Sequence, residues 1–130
     1  MTIQDEVVLA LTIWRENRGG GLSGMQSVAN VILNRAKLQK QSVYEVCTKH
    51  AQFSSISMPG SESYLWPAET DTAWISALGL AALAATTGLV DLTKGATSYY
   101  APEGMPRGVA PSWAGSMTYI TTIAGQRFYK

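Results

Sequence analysis

A carboxylate at the point where a helix gives way to glycines is the feature of this chain best suited to proton transfer. Glu16 lies in Trp14-Arg15-Glu16-Asn17-Arg18-Gly19-Gly20-Gly21. Three glycines do not continue a helix cheaply, since each costs about 1 kcal/mol against alanine. They do allow backbone or ligand to come close. Glu16 is thus expected on a rigid element that opens onto an edge free of side chains, which suits a general acid. Asp91 is the alternative carboxylate. Cys47 and His50, three positions apart, are the sole cysteine and the sole histidine. A thiolate nucleophile would need a specific hydrogen bond between them, and a small buried hydrophobe is the expected role of Cys47. One His and one Cys do not supply a zinc ligand set. No metal and no cofactor are expected.

A second group of residues suits sugar recognition. Phe53, Tyr64 and Trp66 fall in one long irregular stretch, and Tyr99, Tyr100 and Trp113 in another. Loops longer than about 15 residues are uncommon in compact domains and are often functional. Flat aromatic faces, with amides and hydroxyls nearby, match the apolar faces and hydroxyl rims of sugars.

The elements that must hold these residues can be read from pattern. Thr2 with Asp5 forms a capping box for a first helix, along which Ile3, Val7, Ala10, Leu11 and Trp14 recur at helical spacing to about Glu16 or Asn17. Ser23 is expected to cap a second helix with Val28, Ala29, Ile32 and Ala36 as its stripe and Leu33 widening it. Ser42 and Glu45 cap a short helix ending near Thr48. Residues 51–67 read as a loop with a short extended piece. Thr70 or Asp71 opens a third long helix, alanine-rich and closed by Gly88. Residues 91–115 read as irregular. Thr118–Ile123 and Gln126–Tyr129 flank Ala124-Gly125 as a hairpin. Asn30, Asn34 and Arg35 are expected to tie the second helix to the Glu16 turn. The fold class is α+β, mainly helical, with one domain over residues 1–130.

Bulk properties narrow the function. The 130 residues are 46% hydrophobic and 15% charged, with a net charge of +1. Binding nucleic acid through phosphate neutralisation is therefore not expected. Residues 51–93 carry Glu62, Glu69, Asp71 and Asp91 but no basic residue, whereas residues 94–130 carry Lys94, Arg107, Arg127 and Lys130 against Glu103. That basic tail favours an anionic partner or simply solubility. The acidic start, Met1-Thr2-Ile3-Gln4-Asp5-Glu6, is unlike a signal peptide. The apolar run 73–92 fits a core helix better than a membrane span. A monomer made in the cytoplasm, without stable membrane association, is expected.

Five regions together resemble the cell-wall hydrolases related to bacterial spore cortex-lytic enzymes. Glu16-Asn17-Arg18-Gly19 is similar to the family's Glu-Ala-Arg-Gly block, whose Glu is catalytic. Val28-Ala29-Asn30-Val31-Ile32-Leu33-Asn34-Arg35 resembles its second-helix signature, and Gln52-Phe53-Ser54 its central loop. Asp91–Tyr100 and Thr121–Tyr129 resemble the two closing blocks. Gly20 stands where the family commonly has a second Glu, and Ser98 and Gln126 stand where it often has His.

The resemblance implies a lysozyme-like domain that cleaves the glycan of peptidoglycan. Glu16 would be catalytic, and Gln52, Phe53, Ser54, Tyr99, Tyr100 and Gln126 would contact substrate. A single carboxylate fits a lytic transglycosylase, with Trp14 or other aromatics forming an apolar pocket for a protonated Glu16. A hydrolytic muramidase and a non-catalytic glycan-binding or virion domain are the alternatives. A bare catalytic domain suits a phage endolysin that reaches the periplasmic wall from the host cytoplasm.

Overall fold

The computed structural model describes residues 1–49, 52–57, 59–60 and 62–130. Helix α1 (Ile3–Asn17) is its axis. Thr2 Oγ1 accepts from the Asp5 amide at 3.0 Å, and Asp5 Oδ2 accepts from the Thr2 amide at 2.8 Å, completing the expected capping box. Asp5 Oδ1 also accepts from the Tyr44 amide at 2.8 Å, which ties the start of α1 to α3 (Val43–Thr48). The predicted stripe of α1 holds in part, at Ala10, Trp14 and the core-packed Leu11. Leu9, Ala10, Ile13 and Trp14 are buried, whereas Ile3 and Val7 face solvent. Neighbours cover α1 on several sides, so its buried positions exceed one helical stripe.

A 3-10 turn (Arg18–Gly20) leads directly into α2 (Gly21–Gln39). Ser23 is therefore inside the helix rather than at its cap. Val28, Ala29 and Ile32 pack into the main core as expected, and Leu33 and Ala36 flank it. Ser42 caps α3 through the Glu45 amide at 3.0 Å. The following loop forms a helical turn, α4 (Ser54–Ser57), and a 3-10 turn (Glu62–Tyr64) instead of an extended piece. Helix α5 (Thr72–Ala85) is capped by Asp71, whose carboxylate accepts from the Trp74 amide at 3.0 Å. The Gly88 amide closes it on the Leu83 carbonyl at 2.7 Å. Ala77 and Ala81 are fully buried against the other helices.

A three-stranded antiparallel sheet, ordered β1-β3-β2, closes the domain. The hairpin β2 (Tyr119–Ile123) and β3 (Gln126–Tyr129) is as predicted. Its turn residues Ala124 and Gly125 have φ of 50° and 78°, the left-handed pair of a type I′ turn. Strand β1 (Ser98–Tyr100) arises within the stretch expected to be irregular. It adds to the free edge of β3, with Tyr99 opposite Phe128. Phe128 is fully buried beside Val31 of α2 and Ala96, so the sheet's inner face seals α2. Among the described residues, no helix is long and apolar enough to cross a membrane.

Candidate active site

Glu16 and Tyr99 meet where the end of α1 faces the sheet. The Tyr99 hydroxyl donates to Glu16 Oε1 at 3.0 Å. Glu16 is half-buried: it is held at one oxygen while still open to solvent. Tyr99 is fixed by its strand and by its ring, which packs on Phe128 at 5.5 Å between centroids. It also touches the main core, so it bridges the two apolar clusters. Burial, then the adjacent Glu16 carboxylate, push the Tyr99 phenol well above its ordinary range. Tyr99 is thus held as a neutral donor. The aromatic partner of Glu16 is Tyr99, not Trp14. The Trp14 ring stands edge-on to Trp74 at 6.5 Å, with the Arg18 guanidinium over it at 4.4 Å.

The next residue, Asn17, joins the same helix end to the hairpin. Its Nδ2 donates to Gln126 Oε1 at 3.0 Å. Two glycines make room for this side chain. A Cβ on Gly20 would come within 2.6 Å of Asn17, and one on Gly24 within 2.7 Å of Asn17 Nδ2 and 3.2 Å of Ala124 Cβ. Gly20 therefore leaves room for the Asn17 side chain, and Gly24 allows the close approach of α2 to the hairpin.

Arg15 organises the opposite flank. It is buried, and its Nη1 donates to the Ser55 carbonyl at 2.9 Å and its Nε to the Leu65 carbonyl at 3.1 Å. Its guanidinium lies 4.7 Å from the Trp66 ring centroid, and Trp66 is 73% exposed. The 55–66 loop, with an aromatic face turned outward, is thus anchored by the residue next to Glu16. Pattern reading passed over Arg15 and Asn17; their adjacency to a candidate acid was the available signal.

The other predicted site residues divide. Gln126 adjoins Glu16's neighbour Asn17, and its Nε2 has no partner among the described residues. Gln52 is exposed and weakly held, its Oε1 accepting from Arg35 Nη1 at 3.4 Å. Ser54 is exposed at the start of α4. Phe53 is a correction: it is 1% exposed in the main core, with Arg35 over its ring at 5.3 Å, so it offers no face to a sugar. Tyr100 lies on the sheet face opposite Tyr99, because successive strand residues alternate. There it stacks on Tyr129 at 5.8 Å and meets Trp113 at 5.9 Å.

Asp91 is a loop organiser. Its oxygens accept from the Thr93 amide at 2.8 Å, the Thr93 hydroxyl at 2.7 Å, the Gly95 amide at 2.8 Å and Asn34 Nδ2 at 3.0 Å. Burial disfavours its charge, but these donors outweigh burial and hold the carboxyl below its usual value. Asn30, Asn34 and Arg35 are structural, though not as expected. They bind Val90 and Leu92, Asp91 and Ala96, and Thr97 respectively, so they tie α2 to the 90–97 segment rather than to the Glu16 turn. Cys47 is fully buried, and burial pushes its thiol up to about 12, which leaves it unreactive. His50 lies outside the described residues, so the Cys47–His50 pairing does too.

No curated protein matches the chain. Two solved structures share its fold over its whole length. One is the catalytic domain of the germination-specific lytic transglycosylase SleB from Bacillus anthracis, 25% identical, with 97% of that domain covered and a TM-score of 0.74. The other is the catalytic domain of the Bacillus cereus SleB protein, 26% identical, with 92% covered and a TM-score of 0.71. The family model described as Cell Wall Hydrolase matches residues 19–129, beginning just after Arg18. With that span taking in α2 to α5 and the whole sheet, the chain belongs to the Cell Wall Hydrolase family.

Proposed function

We propose that the chain cuts peptidoglycan glycan strands at the β-1,4 bond between N-acetylmuramic acid and N-acetylglucosamine, as a lytic transglycosylase with Glu16 as its one acid–base. The carrying observation is the Tyr99–Glu16 hydrogen bond at 3.0 Å on a half-buried helix end. No other carboxylate among the described side chains is hydrogen-bonded to this pair. Glycosidases that use water ordinarily need two carboxyl groups flanking the bond. The lytic transglycosylase named among the similar folds supports the same chemistry.

In this mechanism Glu16 gives its proton to the oxygen leaving the muramic acid C1. The C1–O bond breaks as the N-acetylglucosamine hydroxyl departs. Glu16 then takes the proton of the same muramic acid's C6 hydroxyl, and that oxygen closes onto C1. The acid is regenerated, and no water is consumed. Tyr99 holds the carboxylate in place. Gln126 Nε2 donates to the sugar, and the exposed Gln52, Ser54 and Trp66 contact the strand farther along. Tyr100, on the outer sheet face, is reserved for a longer glycan.

The setting we propose is phage-driven lysis of a host cell. Mass spectrometry of digests tests the chemistry. Transglycosylation gives 1,6-anhydro ends lighter by one water than hydrolytic ends, and hydrolytic ends alone would establish a muramidase instead.

A further inference from the structure

A groove of about 510 Å³ lies away from Glu16, lined by Asn34, Lys37, Leu38, Gly95, Thr97 and Lys130. The helix rise from Gly24, beside Asn17, to Lys37 is about 20 Å. The groove thus sits at the far end of α2, against the segment that leads into β1. Its size falls in the range of small-ligand sites, roughly 300–1,000 Å³.

Its chemistry is specific. Neither Lys37 nor Lys130 has an ion-pair partner among the described residues. Asp91, the neighbouring carboxylate, already accepts from Thr93, Gly95 and Asn34. Lys130 lies across the loop at Gly95, where a Cβ would be 3.2 Å from Nζ; Gly95 has φ of 91°, so glycine provides both the bend and the room. Between the two ammonium groups run apolar surfaces, with Leu38 70% exposed. Asn34 spends its amide N–H groups on Asp91 and Ala96, which leaves its Oδ1 as an acceptor. The Thr97 hydroxyl has no partner among the described residues.

Given the proposed action on peptidoglycan, on which this inference rests, we propose that the groove binds the carboxylate-bearing peptide stem of the wall. Stem carboxylates meet Lys37 and Lys130, a stem amide donates to Asn34 Oδ1, and aliphatic parts cover Leu38. A peptide fits this mixture better than a phosphate polymer, which has no N–H for Asn34 Oδ1 and no side chain for Leu38. The groove would hold a stem on a different part of the wall from the bond being cut.

The test uses the free tripeptide L-Ala-γ-D-Glu-meso-diaminopimelate, titrated into the protein and followed by amide NMR shifts. Saturable shifts at Lys37, Leu38, Gly95 and Thr97 are expected. In the doubly substituted Lys37→Glu, Lys130→Glu protein, affinity should fall by about tenfold or more, since two exposed ion pairs are each replaced by repulsion. On intact wall, this variant should show a raised KM and an unchanged kcat. On glycan stripped of peptide by an amidase, it should match the wild type. No shifts at these residues, equal affinity in the variant, or shifts given by inorganic phosphate and not by the tripeptide would each overturn the proposal. Peptide binding in a protein that cuts neither wall would retire the glycan-cleavage reading and leave the groove's ligand standing.

Discussion

Tyr99 and Glu16 are joined by a 3.0 Å hydrogen bond although 83 positions separate them in the chain. The bond couples the C-terminal turn of α1 to the middle of β1, so the position of the Glu16 carboxylate depends on the sheet. It also fixes a polarity. Tyr99 donates and the Glu16 oxygen accepts, because burial and the neighbouring carboxylate keep the phenol's proton on.

Tyr99→Phe should therefore separate positioning from packing. The ring keeps its contact with Phe128, and the melting temperature should change little. Losing one hydrogen bond to a charged group, worth about 1.5–3 kcal/mol, should lower kcat on purified wall by about tenfold or more. An unchanged rate would show that the bond is incidental to turnover.

Gly24→Ala should damage the junction between α2 and the hairpin. The new methyl would lie 2.7 Å from Asn17 Nδ2 and 3.2 Å from Ala124 Cβ, so Asn17 must leave Gln126 or the turn must shift. Overpacking of this kind costs roughly 1–3 kcal/mol. Urea unfolding should show a loss of that size together with reduced lysis. A wild-type midpoint would mean that the junction yields freely.

Phe53→Ala should act on stability, not on substrate affinity. The ring is 1% exposed, and removing a buried phenylalanine costs about 3–5 kcal/mol. Phe53→Leu should recover much of this and leave KM for wall unchanged. A raised KM in a stable Phe53→Leu protein would restore Phe53 as a sugar contact.

Asp91 gives a pH dependence whose sign follows from its environment. Its folded carboxyl lies below the ordinary value of 3.8, because its donors outweigh the cost of burial. Its stabilising contribution is present above about pH 4 and is lost as pH falls through the lower folded value. Asp91→Asn should cost roughly 1–3 kcal/mol at pH 7, where buried donors lose acceptors. It should cost less as the pH is lowered. Melting curves from pH 7 to pH 2 check this, and a pH-independent difference would contradict it.

Features set by neighbours in sequence were legible before the structure. The caps at Thr2, Ser42 and Asp71 each involve a side chain and an amide three residues on. The Ala124-Gly125 turn is a two-residue loop whose glycine is at home in the left-handed region, although Ala124 at φ 50° is not. Features set by distant partners were not. Strand β1 has three residues and exists through pairing with β3, so its local signal is weak. Gly19-Gly20-Gly21 reads as a helix breaker, yet a 3-10 turn carries it straight into α2 at Gly21, and Gly20 leaves room for the Asn17 side chain. Phe53 has a loop residue's sequence context and a core residue's burial. For the candidate site, Glu16, Tyr99 and Gln126 lie at or next to the helix–sheet junction, whereas alternation along β1 turns Tyr100 to the other face.

The initial rate of purified peptidoglycan digestion by Glu16→Gln, measured against wild type at matched melting temperature, tests the central claim most directly. Gln keeps an oxygen for the Tyr99 hydroxyl but has no proton to deliver. A loss of about 10²-fold or more is expected for removal of a general acid. A folded Glu16→Gln protein that digests wall at the wild-type rate would contradict the account.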